Sequence, residues 1–168
     1  MAAGSTYTPI ATTTLGSSQS SVTFSSFSGY TDVILVAAAR GTSTSSQIYA
    51  TLNSDSGSNY SYTELYGYSG GAISDRASNQ TQMRLYGMAR SDYAANEFGY
   101  VQVQFMNYSN TTTFKTAIAR GASSMSTEVD ARVHLYRSTS AITSISLAPT
   151  TGNFATGSTF TLYGIVAA

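Results

Sequence analysis

A chain of 168 residues with no cysteine, one histidine and a formal net charge of +0 excludes several functions at once. Disulfide scaffolds and thiolate metal sites need cysteine, and sites built on two histidines are out of reach. Only 10% of the residues are charged, with no run of either sign, so the basic patches that nucleic acid and anionic membranes select are missing and neither is an expected partner.

Hydroxyls stand where ions usually do. The 28 serines, 24 threonines and 13 tyrosines can wet a surface, and they can also meet another protein without the cost of desolvating charge. The length suits one domain with a core of its own. The longest apolar stretch, Val33 to Ala39, is far too short to span a bilayer. Met1 to Thr6 lack the basic start and apolar middle of a signal peptide, so export by that route is not expected.

In chain order, residues 1–8 read as a polar N-terminal arm and 9–168 as a single β-sandwich domain. Ala2, Ala3, Gly4, Ser5 and Thr6 carry no large apolar side chain, so their ordering must come from a partner, and they are candidate protein contacts. Short runs of β-branched and aromatic residues follow, separated by Gly, Ser, Asn and Asp, and apolar residues nowhere keep helical spacing over three turns. Strands are expected at Tyr7 to Leu15, Ser21 to Phe27, Tyr30 to Ala39, Gln47 to Leu52, Tyr62 to Tyr68 and Gln82 to Met88. The rest are expected at Tyr100 to Phe105, Phe114 to Arg120, Glu128 to Tyr136, Ile142 to Leu147 and Thr159 to Val166. Eleven strands in this length predict an all-β, two-sheet antiparallel sandwich, and the number favours a jelly roll over an immunoglobulin-like Greek key.

Two strands give sharper readings. The unbroken apolar run Val33 to Ala39 predicts burial on both faces, by the opposing sheet and by a neighbouring subunit. In Glu128 to Tyr136 the alternation predicts Val129, Ala131, Val133 and Leu135 inward, with Glu128, Asp130, Arg132, His134 and Tyr136 outward.

Chemistry is sparse. His134 would carry any Ser/His/Asp arrangement alone, and it sits mid-strand without the strand-to-helix turn that exposes a nucleophile, so it reads as a sheet-surface histidine. Glu128 and Asp130 share a strand face as an acid/base pair would, but Arg132 beside them points to ordinary ion pairing. Asn53 to Asn59, with Glu64 further on, has the alternating oxygens of a calcium loop. Ser58 stands where that loop needs glycine, and the segment joins strands, so it reads as a polar hairpin loop. Tyr60, Tyr62, Tyr66 and Tyr68 share one parity, which predicts four rings on one face as a protein-contact surface, with sugar contact as the alternative.

The segment Asp55 to Tyr62 followed by Leu65-Tyr66-Gly67, together with Ile142 to Ile165, resembles small β-rich virion proteins of tailed phages, cyanophages among them. The resemblance runs from about Tyr7 to Ile165, and its most specific part is the C-terminal stretch. It implies a non-enzymatic capsid decoration or cement protein on the outer capsid surface, without cofactor. Its partners would be the major capsid protein and copies of itself, as a homotrimer at local three-fold sites. A tail-fibre or receptor-binding module that recognises carbohydrate is the alternative.

Overall fold

The computed structural model describes residues 6–45, 47–123 and 128–166, and among them every regular element is a strand. The strands are β1 (Tyr7–Thr14), β2 (Val22–Ser25), β3 (Asp32–Ala39), β4 (Ile48–Leu52), β5 (Tyr60–Tyr68) and β6 (Gly71–Gln80). They continue as β7 (Met83–Leu85), β8 (Gly99–Phe105), β9 (Lys115–Ser123), β10 (Glu128–Tyr136), β11 (Ser144–Pro149) and β12 (Thr159–Ile165). An eight-stranded antiparallel sheet, ordered β1-β12-β3-β8-β9-β10-β5-β6, packs on a four-stranded one, β2-β11-β4-β7.

The order is that of a jelly roll with two additions. The pairs β1:β12, β2:β11, β3:β8 and β4:β7 are all antiparallel, so the chain is one long double-stranded ribbon rolled around the core. The hairpins β5–β6 and β9–β10 then extend the large sheet beyond β8.

Alternation builds the core between the sheets. Val101, Val103 and Phe105 of β8 point inward, as do Val33, Leu35 and Ala37 of β3, and they meet Ile48, Ala50 and Leu52 of β4 and Ile145 and Leu147 of β11. On the other face of β3, Ile34 is buried between its register partners Tyr163 and Gln104, but Ala38 is exposed, so the two-faced burial read from the apolar run holds at one end only. The tripeptide Leu-Tyr-Gly occurs at Leu65-Tyr66-Gly67, Leu85-Tyr86-Gly87 and Leu162-Tyr163-Gly164, and the last two end in a glycine that packing demands. A Cβ on Gly164 would lie 2.1 Å from the Tyr30 ring, and one on Gly87, at φ +108, would lie 2.2 Å from the Tyr100 carbonyl oxygen.

Four expectations change. The arm gives way to the sheet at Tyr7, because Tyr7 and Thr8 pair with Ile165 and Gly164. A twelfth strand, β6, lies in a polar segment whose one large apolar residue is Ile73, so it lacks the alternation that reveals a strand. The predicted Gln82 to Met88 strand shrinks to β7, because Gly87 leaves extended geometry.

The fourth change matters most: β10 is turned over. Asp130, Arg132, His134 and Tyr136 are buried at 1–3% exposure, whereas Val129 and Val133 are 61% and 50% exposed. The strand has period two, as expected, but each parity faces the opposite way. The reason lies in what covers it. Beyond β8 the large sheet lies under only the edge of the small one, and the inner side of β9, β10 and β5 is roofed by the edge strand β7 and the residues just after it. That roof presents the Arg84 carbonyl and the Tyr86 ring, which an arginine satisfies and a valine does not.

Candidate functional site

The inward side of β10 carries a cluster of buried polar groups: Asp130, Arg132 and His134, with Glu64 beside them. Arg132 is ion-paired with Glu64 of β5 and with Asp130 at 3.0 Å, and its Nη1 donates to the Arg84 carbonyl at 2.6 Å. The guanidinium carbon lies 4.8 Å from the centre of the Tyr62 ring and 4.7 Å from that of Tyr86. Burial pulls the Arg132 pKa down to about 10 and pushes Asp130 up to about 7, the latter offset in part by Arg84. Burial, then the charge of Arg132, pushes His134 down to about 3, so its imidazole is neutral. The Arg84 carbonyl lies near that ring, yet neither nitrogen completes a hydrogen bond among the described residues. What this cluster does is mechanical: it ties β5 to β10 and holds the roof down. A substrate has no direct approach to groups this deeply buried.

The tyrosine series divides. All four rings share one parity as expected, but the parity is that of Glu64 and faces inward. Tyr60 is fully buried, stacks on Tyr136 at 4.9 Å, and donates its hydroxyl to the Asp55 carbonyl at 2.9 Å. Tyr62 is buried over Arg132. Neither can serve as a contact residue, which corrects that expectation. Tyr66 stacks against Tyr68 at 5.4 Å, and Tyr68 alone of the four is exposed, at 40%. Of the arm, Ala2, Ala3, Gly4 and Ser5 lie outside the described residues, and Thr6 is exposed. In the loop, Asp55 accepts from Gly57 N and from Asn59 Nδ2 at 2.8 and 2.9 Å, while Asn53 Oδ1 accepts from Thr143 N at 2.8 Å. Those oxygens hold the turn, and Glu64 is spent on Arg132.

The outward side of the same strands is a different surface. Register places Ile118, Val133 and Thr63 in one row across β9, β10 and β5, then Arg120, Ala131 and Leu65, then Ala122, Val129 and Gly67. Leu65 is 66% exposed, and an apolar groove of about 510 Å³ runs between it, Val129, Ala131 and Ala72. Across all eight strands, the charged residues whose parity faces outward are Asp32, Arg76 and Arg120. The far end of the face is a threonine ladder in which Thr12 bonds Thr161 and Thr14 bonds Thr159, each at 3.1 Å. Sequence reasoning missed this face, because it assigned the valines of β10 to the core. The available signal was that Leu65 stands at the opposite parity to Glu64 and the tyrosines, so both parities of β5 could not be buried.

No protein-family model matches the chain, and no curated protein does. Among solved structures, an exo-inulinase from Aspergillus awamori is similar over 95% of this chain at 12% identity and a TM-score of 0.38. The chain spans 29% of that protein's length. A likeness this loose carries no argument about function, and the fold assignment stands on strand order.

Proposed function

We propose that the protein is a non-enzymatic structural protein that adheres to an assembled protein surface through the outer face of its large sheet. In its narrower form the proposal is a phage decoration protein on the outer capsid surface, bound to the major capsid protein and to copies of itself, with a homotrimer at local three-fold sites favoured. One observation carries it: β10 buries its ions and exposes its valines, next to an equally exposed Leu65. Exposed apolar side chains on neighbouring rows of an ion-poor sheet face are the composition of an interface centre. Such a protein stabilises a shell by binding the assembled state and not free subunits, and many modest contacts act together.

The test is occupancy on purified particles. Wild type is expected in amounts comparable to the major shell protein, and the double substitution Leu65→Asp with Val129→Asp is expected to lower occupancy at least about tenfold, the effect of roughly 1.4 kcal/mol. Both side chains are exposed, so the variant should melt like wild type. Undiminished occupancy would remove this face from the mechanism, and a protein present at only a few copies per particle would overturn the decoration reading.

A further inference from the structure

A second surface is independent of the first. Where the edge of the small sheet at β4 and β7 approaches the start of β10, there is a polar cleft of about 300 Å³ whose walls include Gln47, Tyr49, Arg84, Tyr86 and Glu128. Tyr49 and Arg84 are register partners, so they share one face of the small sheet.

Arg84 is held on several sides. Its Nε donates to Gln47 Oε1 at 2.7 Å, its Nη2 donates to the Tyr86 hydroxyl, and its guanidinium carbon stands 5.0 Å from the centre of the Tyr86 ring. Tyr86 is itself fixed by Arg132. Glu128 is held as well, since its Oε1 accepts from the Tyr66 hydroxyl at 2.9 Å. Among the described residues, neither Arg84 nor Glu128 has an ion-pair partner, although they have opposite charge and line the same cleft. Gln47 and Tyr86 hold the one and Tyr66 holds the other, so both charges face the cleft from fixed positions.

A molecule filling that space meets both a guanidinium to accept from and a carboxylate to donate to. A hydroxyl does both, and neighbouring hydroxyls on a rigid ring can meet Arg84 Nη1 and Glu128 Oε2, the atoms that the contacts to Gln47, Tyr86 and Tyr66 do not use. The remaining walls suit such a ring: an amide at Gln47, hydroxyls at Ser45 and Thr150, the aromatic body of Tyr49, and the Arg90 guanidinium, whose charge is already paired with Asp92. The geometry points to a saccharide-binding site in this cleft, with Arg84, Gln47 and Glu128 bonding the hydroxyls and Tyr49 packing against the ring. The proposal does not depend on the attachment face, which is built on the opposite side of β10.

The test is to apply the full chain to an array of mono- and oligosaccharides, titrate the strongest ligand by calorimetry, and follow the side-chain N–H signals of Arg84 and Gln47 by NMR. Saturable binding is expected, with shifts at both signals. Arg84→Lys and Glu128→Gln should each weaken binding about tenfold or more, the worth of a hydrogen bond to a charged group, with melting temperatures measured alongside because both side chains also bond Gln47, Tyr86 or Tyr66. The shifts in wild type decide the matter if a variant fails to fold. No binding to any saccharide, binding that leaves those two signals unmoved, or a preference for free glycine over every sugar would each overturn the proposal.

Discussion

Arg132 and Val133 are neighbours on β10, and exchanging each in turn tests which side of the strand is the inside. Replacing Arg132 with Met removes the cation that Glu64 and Asp130 share, at a position 1% exposed. Breaking a buried pair by deleting one partner costs about 3–5 kcal/mol, because the remaining charge is left without compensation. Asp130, whose pKa is already pushed up to about 7, can take up a proton and soften the loss, which puts the expected cost near the lower end of that range. Val133→Asp should behave quite differently. Half of that side chain is already in water, so the apolar burial lost is roughly 1 kcal/mol, and the new carboxylate stays solvated. Urea denaturation reads both. With a slope of roughly 2 kcal/mol per molar, the Arg132→Met midpoint should fall by about 1.5 M and the Val133→Asp midpoint by no more than about 0.5 M. A Val133→Asp variant that unfolds while Arg132→Met holds its midpoint would show that the parity of β10 is the reverse of the one described.

Titration of the same cluster gives a second test. His134, held neutral with its pKa lowered to about 3 from 6.5, makes stability rise with pH between those values, because the unfolded chain binds the extra proton. Asp130, raised from 3.8 to about 7, acts with the opposite sign: the folded state binds the proton, so stability falls as pH rises across that window. The two offset each other in wild type. Thermal melts of Asp130→Asn should therefore show stability climbing from pH 3 to 6.5, and those of His134→Phe should show it declining from pH 4 to 7; flat profiles in both would refute the assignments. Tyr60→Phe loses hydroxyl bonds to Leu52 N and the Asp55 carbonyl and should cost about 1–3 kcal/mol, whereas Tyr68→Phe should cost almost nothing in the same melts. Gly121→Ala should lower the melting temperature, since its Cβ would stand 2.2 Å from the Tyr86 carbonyl oxygen and overpacking of this kind costs about 1–3 kcal/mol. A Gly121→Ala protein as stable as wild type would mean the roof is not seated on β9 as described.

Much of the architecture is local chemistry, and it could be read from the chain. The alternation of Val101, Val103 and Phe105 and the number of short β-branched runs separated by Gly, Ser, Asn and Asp depend only on period and on turn residues, so they specify a two-sheet sandwich without knowledge of any partner strand. Strand β6 escaped because an edge strand buries almost nothing, and burial is what writes a pattern into sequence. The orientation of β10 could not be read from its own residues. Val129 and Val133 on one parity and Asp130, Arg132 and His134 on the other make a strand of period two whichever way it faces. Hydrophobic burial alone would turn the valines inward. Tertiary structure decided otherwise, because the hairpins lie under the edge of the small sheet, where the cover is the Arg84 carbonyl and the Tyr86 ring and the neighbouring strand supplies Glu64, and an arginine there satisfies all three. The exposed valines and Leu65 follow from that choice, and the outer face that they form is where the proposed attachment lies.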